Sequence, residues 1–272
     1  MIPPAPEPDQ QPSSWDDHVS VYEEVFEPFS IAFAEMAIDC LGAGAGMRVL
    51  DVGAGSGGAA LALARRGFQV TAIDASEKMI ERIKVRAEAV GAGVSAEVMC
   101  GQALRFPNGH FDAALSVFGV ILFPDAVRGL AEMRRVVRTG GRVAIVTWTE
   151  PQHYELAAEL RAAVESFRPG GQPGALPAQL RFRERDECAA LFKAAGFAGV
   201  AIDAHSATLR APSARWLAAR MAFAPGMAAQ LTALGADAAL VLERFGSAIE
   251  AKQGTGEIRL GGRAFVATAT VT

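Results

Sequence analysis

Apolar and polar positions along the chain switch between a period near 3.6 residues and short continuous or alternating runs, which predicts helices and strands in turn. Residues 15–41 read as helical. Val19, Tyr22, Val25 and Phe26 share one face, and Phe33, Met36, Ala37 and Leu41 share a face of a second segment after Pro28. Residues 48–52 form a short apolar run, as expected of a central parallel strand. The alanine-rich stretch 59–64 predicts a helix, and 70–74 a second strand. The next helix begins at Ser76, a residue type suited to an N-cap. Its Met79, Ile83, Ala87 and Val90 fall on one side, opposite Glu77, Lys78, Glu81, Lys84 and Glu88. Strands near 94–100, 112–118 and 142–148 continue the sheet, with a helix over 125–138 that ends at Gly140.

The pattern changes past Trp148. A helix is predicted over 151–168, followed by the breaker cluster Pro169-Gly170-Gly171-Gln172-Pro173-Gly174. A helix over 184–195 closes at Gly196, and 200–205 reads as a sixth strand. The last eight residues alternate, with Phe265, Ala267, Ala269 and Val271 on one face, which marks a seventh strand. About 55 residues separate these two strands. So long a structureless loop is improbable, and Trp216, Met221, Phe223, Met227, Leu231 and Leu242 recur at helical spacing, so two helices are expected there. The division that follows is a disordered tail over 1–14, a core with N-terminal helices over 15–150, and a C-terminal part over 151–272. The last part carries cap insertions near 151–180 and 208–258.

Composition narrows the function classes. At 272 residues and 51% hydrophobic, the chain can bury one substantial core with a small added cap. A formal charge of −4 gives no general attraction to nucleic acid, so no nucleic-acid partner is expected. The basic cluster Arg134, Arg135 and Arg138 reads as a solvated last turn of a helix facing its dipole. Cys40, Cys100 and Cys188 are widely spaced, which argues against a zinc site or disulfide framework and suits a cytoplasmic setting. The proline-rich start lacks the basic and apolar regions of a signal peptide, and no apolar run suggests a membrane span.

The most informative segment is Arg48-Val49-Leu50-Asp51-Val52-Gly53-Ala54-Gly55-Ser56-Gly57-Gly58, followed by Val70-Thr71-Ala72-Ile73-Asp74. A strand, a glycine-rich turn, a helix and a second strand ending in a carboxylate describe a βαβ unit around an adenosine cofactor. Gly53, Gly55 and Gly58 also satisfy the dinucleotide spacing, so the glycines alone do not choose the cofactor. Asp51 does choose. A carboxylate close to the turn repels a pyrophosphate but attracts the ammonium and sulfonium of S-adenosylmethionine.

With these residues in view, the stretch resembles motif I of the class I S-adenosylmethionine-dependent methyltransferases. Gly101-Gln102-Ala103-Leu104-Arg105-Phe106-Pro107-Asn108-Gly109-His110-Phe111-Asp112 resembles, in shortened form, a stretch of their ubiquinone/menaquinone-biosynthesis-like branch. Ser116-Val117-Phe118-Gly119 resembles its fourth strand end, and Arg134 to Arg142 its turn into the fifth strand. The resemblance covers roughly 15–150. Gln102 stands where the branch usually has Asp, and Thr139 where it has Pro.

That resemblance implies an α/β fold with a doubly wound, seven-stranded, mostly parallel sheet and a helical cap. The seventh strand would be antiparallel and inserted between the fifth and sixth. Ligands of such sheets lie outside the carboxyl ends of the strands where strand order reverses. The implied cofactor site gathers Asp51, Gly53, Ala54, Gly55 and Gly57 after the first strand, and Asp74 and Ala75 after the second. Gln102 and Ala103 follow the third strand, and Ser116, Val117 and Phe118 the fourth. Asp74 would take both ribose hydroxyls, or else cap the next helix. Gln102 would accept from the adenine amino group, or else be a loop amide. Met79 would lie on the adenine or in the core, and Tyr22 would reach the cofactor carboxylate or pack the first helix. Trp15 and Phe26 read as lid packing.

Methyl transfer needs alignment and exclusion of water rather than a metal or a triad. His153 is the best placed of four histidines for a general base, against a plain surface role. No D/N-P-P-Y/F element follows the fourth strand, which lowers nucleobase and glutamine acceptors. Trp216, Met221 and Phe223 in the cap suggest an apolar or aromatic acceptor. A nicotinamide oxidoreductase and a cofactor-binding module without turnover stay open as alternatives, as does the choice between monomer and homodimer.

Overall fold

The computed structural model describes residues 6–42, 44–167 and 178–272. Helices α1 (Val19–Val25) and α2 (Glu27–Cys40) divide the N-terminal helical region at Phe26. Pro28 lies in the first turn of α2, where its missing N–H removes no helical bond, so it starts the second helix rather than interrupting it. β1 (Arg48–Val52) is buried from Val49 onward. Next come α3 (Gly58–Arg65), β2 (Gln69–Asp74) and α4 (Glu77–Ala89), the last behind Ser76, whose hydroxyl accepts the Met79 N–H. β3 (Val94–Val98), β4 (Phe111–Val117), α5 (Ala126–Val136), β5 (Val137–Trp148), α6 (Glu155–Phe167), α7 (Arg185–Ala194) and β6 (Ala201–Ala211) follow. The chain then runs through α8 (Ala214–Ala218), α9 (Pro225–Leu234) and α10 (Ala238–Gln253) into β7 (Ile258–Thr270).

The strands form one sheet in the order β3-β2-β1-β4-β5-β7-β6. Every pairing is parallel except those of β7, which runs antiparallel to both β5 and β6. This is the doubly wound, seven-stranded sheet that the sequence implies, with the reversed strand in the expected place. Alternation along β1 feeds two cores. Val49 joins Phe33, Leu63 and Ile83 on one face, while Leu50 and Val52 join Leu130, Met133 and Phe192 on the other. Strand order reverses at β1 and β4, so the crevice above their carboxyl ends is the natural ligand site.

Several boundaries differ from the expectation. Where it is described, the segment over 6–14 is not a disordered tail. Pro8–Gln10 and Pro12–Trp15 are 3-10 turns, Asp9 is buried, and the Trp15 indole N–H donates to the Asp9 carbonyl. Proline at the first position of each turn pre-sets the backbone for it. Residues 1–5 and the breaker cluster over 169–174 lie outside the described residues.

The helix expected over 125–138 stops at Val136 because Val137 pairs with Phe111 and opens β5. Arg138 is therefore a strand residue, and its guanidinium bonds Asp112. Arg135 is no solvated cation either: it bonds Glu132 and the carbonyls of Leu104 and Phe106. Three helices, not two, separate β6 and β7, because Gly235 at φ 58° breaks α9 from α10. By length and composition alone, Pro225–Gln253 is apolar enough to cross a membrane, a feature not expected from the sequence. In the fold α10 packs on α6 and α8 and buries Val241, Phe245 and Ile249.

Candidate cofactor and substrate site

The turn after β1 is held from two sides. Its Gly53 and Ala54 N–H groups both donate to the Ile73 carbonyl, and the Gly55 N–H donates to Asp74 Oδ2 at 2.9 Å. Gly53 has φ 68°, and a β-carbon there would stand 3.1 Å from Gly119 Cα, so only glycine lets the loops after β1 and β4 meet. Behind the turn lies Glu27, 5% exposed, whose Oε1 accepts the Ser56 hydroxyl, the Gly58 N–H and the Arg86 guanidinium. Arg86 also bonds the Ser56 carbonyl at 2.8 Å. Next to it, Arg82 makes two bonds to Glu23, at 2.6 and 2.7 Å. These ion pairs tie α1 and α2 to α4 and fix the back of the turn.

Two carboxylates lie at the carboxyl ends of adjacent strands, Asp51 one residue before the end of β1 and Asp74 at the end of β2. Asp51 is 1% exposed, and its Oδ2 has no hydrogen-bond partner. Burial, and then the charge of Asp74, push its carboxyl up to about 7. Burial also raises Asp74, to about 6, against the N–H groups of Ser76, Gly55 and Ala75, which favour its charged form. Among the described residues no cationic side chain is paired with either acid. An anionic pair so enclosed is costly unless a cation or further donors arrive.

A cavity opens beside the turn. Gly53, Gly55, Asp74, Ala75, Met79 and Gln102 line the side next to the turn, and Phe26, Phe118, Trp148, Tyr154, Phe223 and Met227 the far side. Phe118, at the end of β4, holds φ 58°, a left-handed conformation that costs a non-glycine residue roughly 1–2 kcal/mol and that concentrates at functional sites. Its ring stacks on Trp148 at 4.4 Å, Trp148 stacks on Tyr154 at 4.4 Å, and Tyr154 stacks on Phe29 at 6.0 Å. Phe26 stacks on Phe223 at 5.7 Å. The Tyr154 hydroxyl is buried without a partner, and burial pushes its proton loss far above the ordinary range, so it stays a neutral donor.

The expected residues divide as follows. Tyr22, Gly53, Gly55, Asp74, Ala75, Met79, Gln102, Val117 and Phe118 line the cavity. Asp51 lies beneath the turn, and Ala54 and Gly57 belong to it without lining the cavity; Gly57 caps α3 and abuts Ile83. Ser116 is structural: its hydroxyl donates to the Val52 carbonyl and accepts the Val120 N–H. Ala103 is exposed in the loop after β3. The oxygen of Gln102 already accepts the Asp125 N–H at 2.8 Å.

His153 lies off the cavity, 40% exposed and paired with Glu150, because the 3-10 turn over Pro151–His153 points the next residue, Tyr154, inward instead. In the cap, Phe223 lines the cavity. Trp216 does not and carries Arg220 over its ring, while Met221 is core. Trp15 and Phe26 line the cavity as well as packing. Asp9, Trp148 and Tyr154 were not expected in the site. Only the aromatic pair flanking the end of the fifth strand could have signalled the last two.

Residues 49–141 match the family model of a methyltransferase domain. An uncharacterized protein of Mycobacterium tuberculosis is 32% identical over 177 residues, which span 65% of this chain and 62% of that protein. The ubiquinone/menaquinone biosynthesis C-methyltransferase UbiE of Geobacter sp. is 36% identical over 124 residues, 44% of this chain and 52% of that protein. The chain thus spans less than two thirds of the length of these curated relatives. A phosphoethanolamine N-methyltransferase of Haemonchus contortus, solved with S-adenosylhomocysteine, shares the fold with a TM-score of 0.58 at 17% identity, over 97% of this chain and 59% of that one.

Proposed function

We propose that this chain, which carries a class I S-adenosylmethionine-dependent methyltransferase domain, transfers the methyl group of S-adenosylmethionine to a small apolar or aromatic acceptor by in-line displacement. The observation that carries the reading is the buried Asp51, its Oδ2 unpartnered, at the strand end beside Asp74. A site that, among the described residues, encloses two acids and no cation suits a cationic nucleoside. A nicotinamide cofactor fits the same glycines but would set its pyrophosphate against that charge.

Bound S-adenosylmethionine supplies a methyl group on a positively charged sulfur, already activated for displacement. The chain's task is to bind, orient and exclude water. Asp74 is pre-oriented by the Gly55 and Ser76 N–H groups, and its oxygens keep lone pairs for both ribose hydroxyls. Gly53 and Gly55 expose backbone for close approach, Asp51 adds negative potential beneath it, and Met79 and Val117 offer apolar surface. Tyr22 and Trp15 cover the turn and keep water out. The stacked rings of Phe118, Trp148 and Tyr154 form an apolar wall for the acceptor, and the Tyr154 hydroxyl is a neutral donor rather than a base. The proposed setting is cytoplasmic, and the proposed partner is a small molecule rather than nucleic acid.

The test incubates the chain with S-adenosylmethionine and a panel of phenols, quinols and apolar metabolites, and looks for a mass gain of one methyl. Methylated product supports the reading. Tight nucleoside binding with no product, in the panel or in metabolite extracts, would favour a binding module without turnover.

A further inference from the structure

Two of the carboxylates in the segment ahead of α1, those of Asp9 and Asp16, each close the N-terminus of a different helix. Asp9 Oδ1 accepts the Gly226 N–H at 2.7 Å in the first turn of α9, where the residue in the N-cap position, Ala224, has no polar side chain of its own. Asp16 Oδ1 accepts the Ser76 hydroxyl at 2.6 Å and the Lys78 N–H at 3.3 Å at the start of α4. Both places favour an anion, because helix N-termini present unpaired N–H groups and partial positive charge. α4 starts three residues after Asp74 and belongs to the cofactor side; α9 belongs to the cap and carries Met227 to the cavity.

Between the two anchors, Gln10, Pro12 and Trp15 line the cavity. The Trp15 indole bonds the Asp9 carbonyl at 3.0 Å, and its ring meets Tyr22 edge-on at 5.7 Å. Tyr22 in turn lies over Gly55, 3.4 Å from where a β-carbon would stand. An unbroken set of contacts therefore runs from the glycine turn through Tyr22, Trp15 and Asp9 to Gly226. Its far end fits closely: a β-carbon on Gly226 would stand 2.3 Å from Asp9 Oδ2.

We propose that residues 6–16 are a latch closing the cofactor and acceptor ends of the cavity together, and that Asp9 is a positioning residue whose release of α9 limits how fast a bound nucleoside leaves. This rests on the S-adenosylmethionine reading above. Opening the latch frees the segment that lies across the cavity and the cap helix at once, so exchange follows the opening rate rather than contact strength at the nucleoside alone.

The experiment is a stopped-flow chase of S-adenosylhomocysteine from the full chain, read by tryptophan fluorescence, for the wild type, Asp9→Ala and Asp9→Asn. Asp9→Ala is expected to speed dissociation about tenfold, the scale of one lost helix cap. Asp9→Asn, which keeps an oxygen facing the Gly226 N–H, should restore most of the slow release. A merely structural role would lower the melting temperature and leave the dissociation rate unchanged. That result in a folded Asp9→Ala variant overturns the latch while leaving the donor reading intact. If Asp9→Ala does not fold, Gly226→Ala serves instead, since its β-carbon overlaps the Asp9 carboxylate; faster release supports the latch and unchanged release overturns it. Failure of the wild type to bind S-adenosylhomocysteine overturns both readings.

Discussion

Asp51, one residue before the end of β1, and Asp74, the last residue of β2, lie at the carboxyl ends of neighbouring parallel strands, and burial together with the charge of Asp74 holds the Asp51 carboxyl well above its ordinary value. Among the described residues, two acids are thus enclosed at the carboxyl ends of adjacent strands without a cationic partner, an arrangement that costs stability until a ligand compensates it. Acids shifted by burial and by a neighbouring charge cluster at binding and active sites.

Asp51→Asn should therefore separate stability from binding. Because the folded carboxyl is raised above its unfolded value, the folded chain holds more protons than the unfolded one, and stability falls as pH rises through the folded value near 7. At pH 8 the ligand-free Asn variant is expected to be more stable than the wild type by about 2 kcal/mol, with the difference shrinking toward pH 4. Its affinity for S-adenosylmethionine should drop at least about tenfold. Thermal melts and calorimetry at both pH values check the pair of effects.

The same carboxyls should make donor binding pH-dependent. A cation is attracted only by ionised acids, and these two ionise near 6 and 7. Affinity for S-adenosylmethionine should tighten by about tenfold or more between pH 5 and pH 8. A dissociation constant that is flat across that range would remove the role given to both residues.

Glu27 and Arg86 support the turn from behind, and the carboxylate is almost fully buried. Glu27→Ala leaves the Arg86 guanidinium, the Ser56 hydroxyl and the Gly58 N–H without their shared acceptor. The expected loss is about 3–5 kcal/mol of folding stability, read as a lower urea midpoint. A loss below 1 kcal/mol would show that the turn does not depend on this pair.

His153 and Tyr154 are neighbours with opposite expectations. His153→Ala should leave nucleoside affinity and turnover unchanged, because the imidazole lies outside the cavity lining. Tyr154→Phe removes a buried hydroxyl that bonds nothing in the chain, so the ligand-free protein should be as stable or up to about 1 kcal/mol more stable. A marked fall in melting temperature for Tyr154→Phe would reveal a hydrogen bond that the structure lacks.

The backbone of the glycine turn and the placement of its two acids were legible because local rules fix them. A strand, three glycines and a carboxylate leave few choices of backbone, so Asp51, Gly53, Gly55 and Asp74 fell where the spacing put them. The far half of the site was less so, since Phe26 meets Trp148, and Phe29 meets Tyr154, only through long-range packing of the start of α2 against the end of β5 and the turn after it. His153 was singled out for its titratable chemistry, whereas the 3-10 turn over Pro151–His153 brings its neighbour Tyr154 to the cavity instead. The N-terminal segment was misread as a tail because its prolines and polar residues look unstructured, while its anchors, Gly226 and Ser76, lie far along the chain. The helix end at Val136 was likewise set by strand pairing with Phe111, which no local signal carries.

The most direct test of the donor assignment is calorimetric titration of the full chain with S-adenosylhomocysteine and, separately, with NADH. Micromolar binding of S-adenosylhomocysteine with no heat from NADH is the expected result. Binding of NADH with none of S-adenosylhomocysteine would contradict the account, and would mean that the charge of Asp51 does not govern which cofactor this turn accepts.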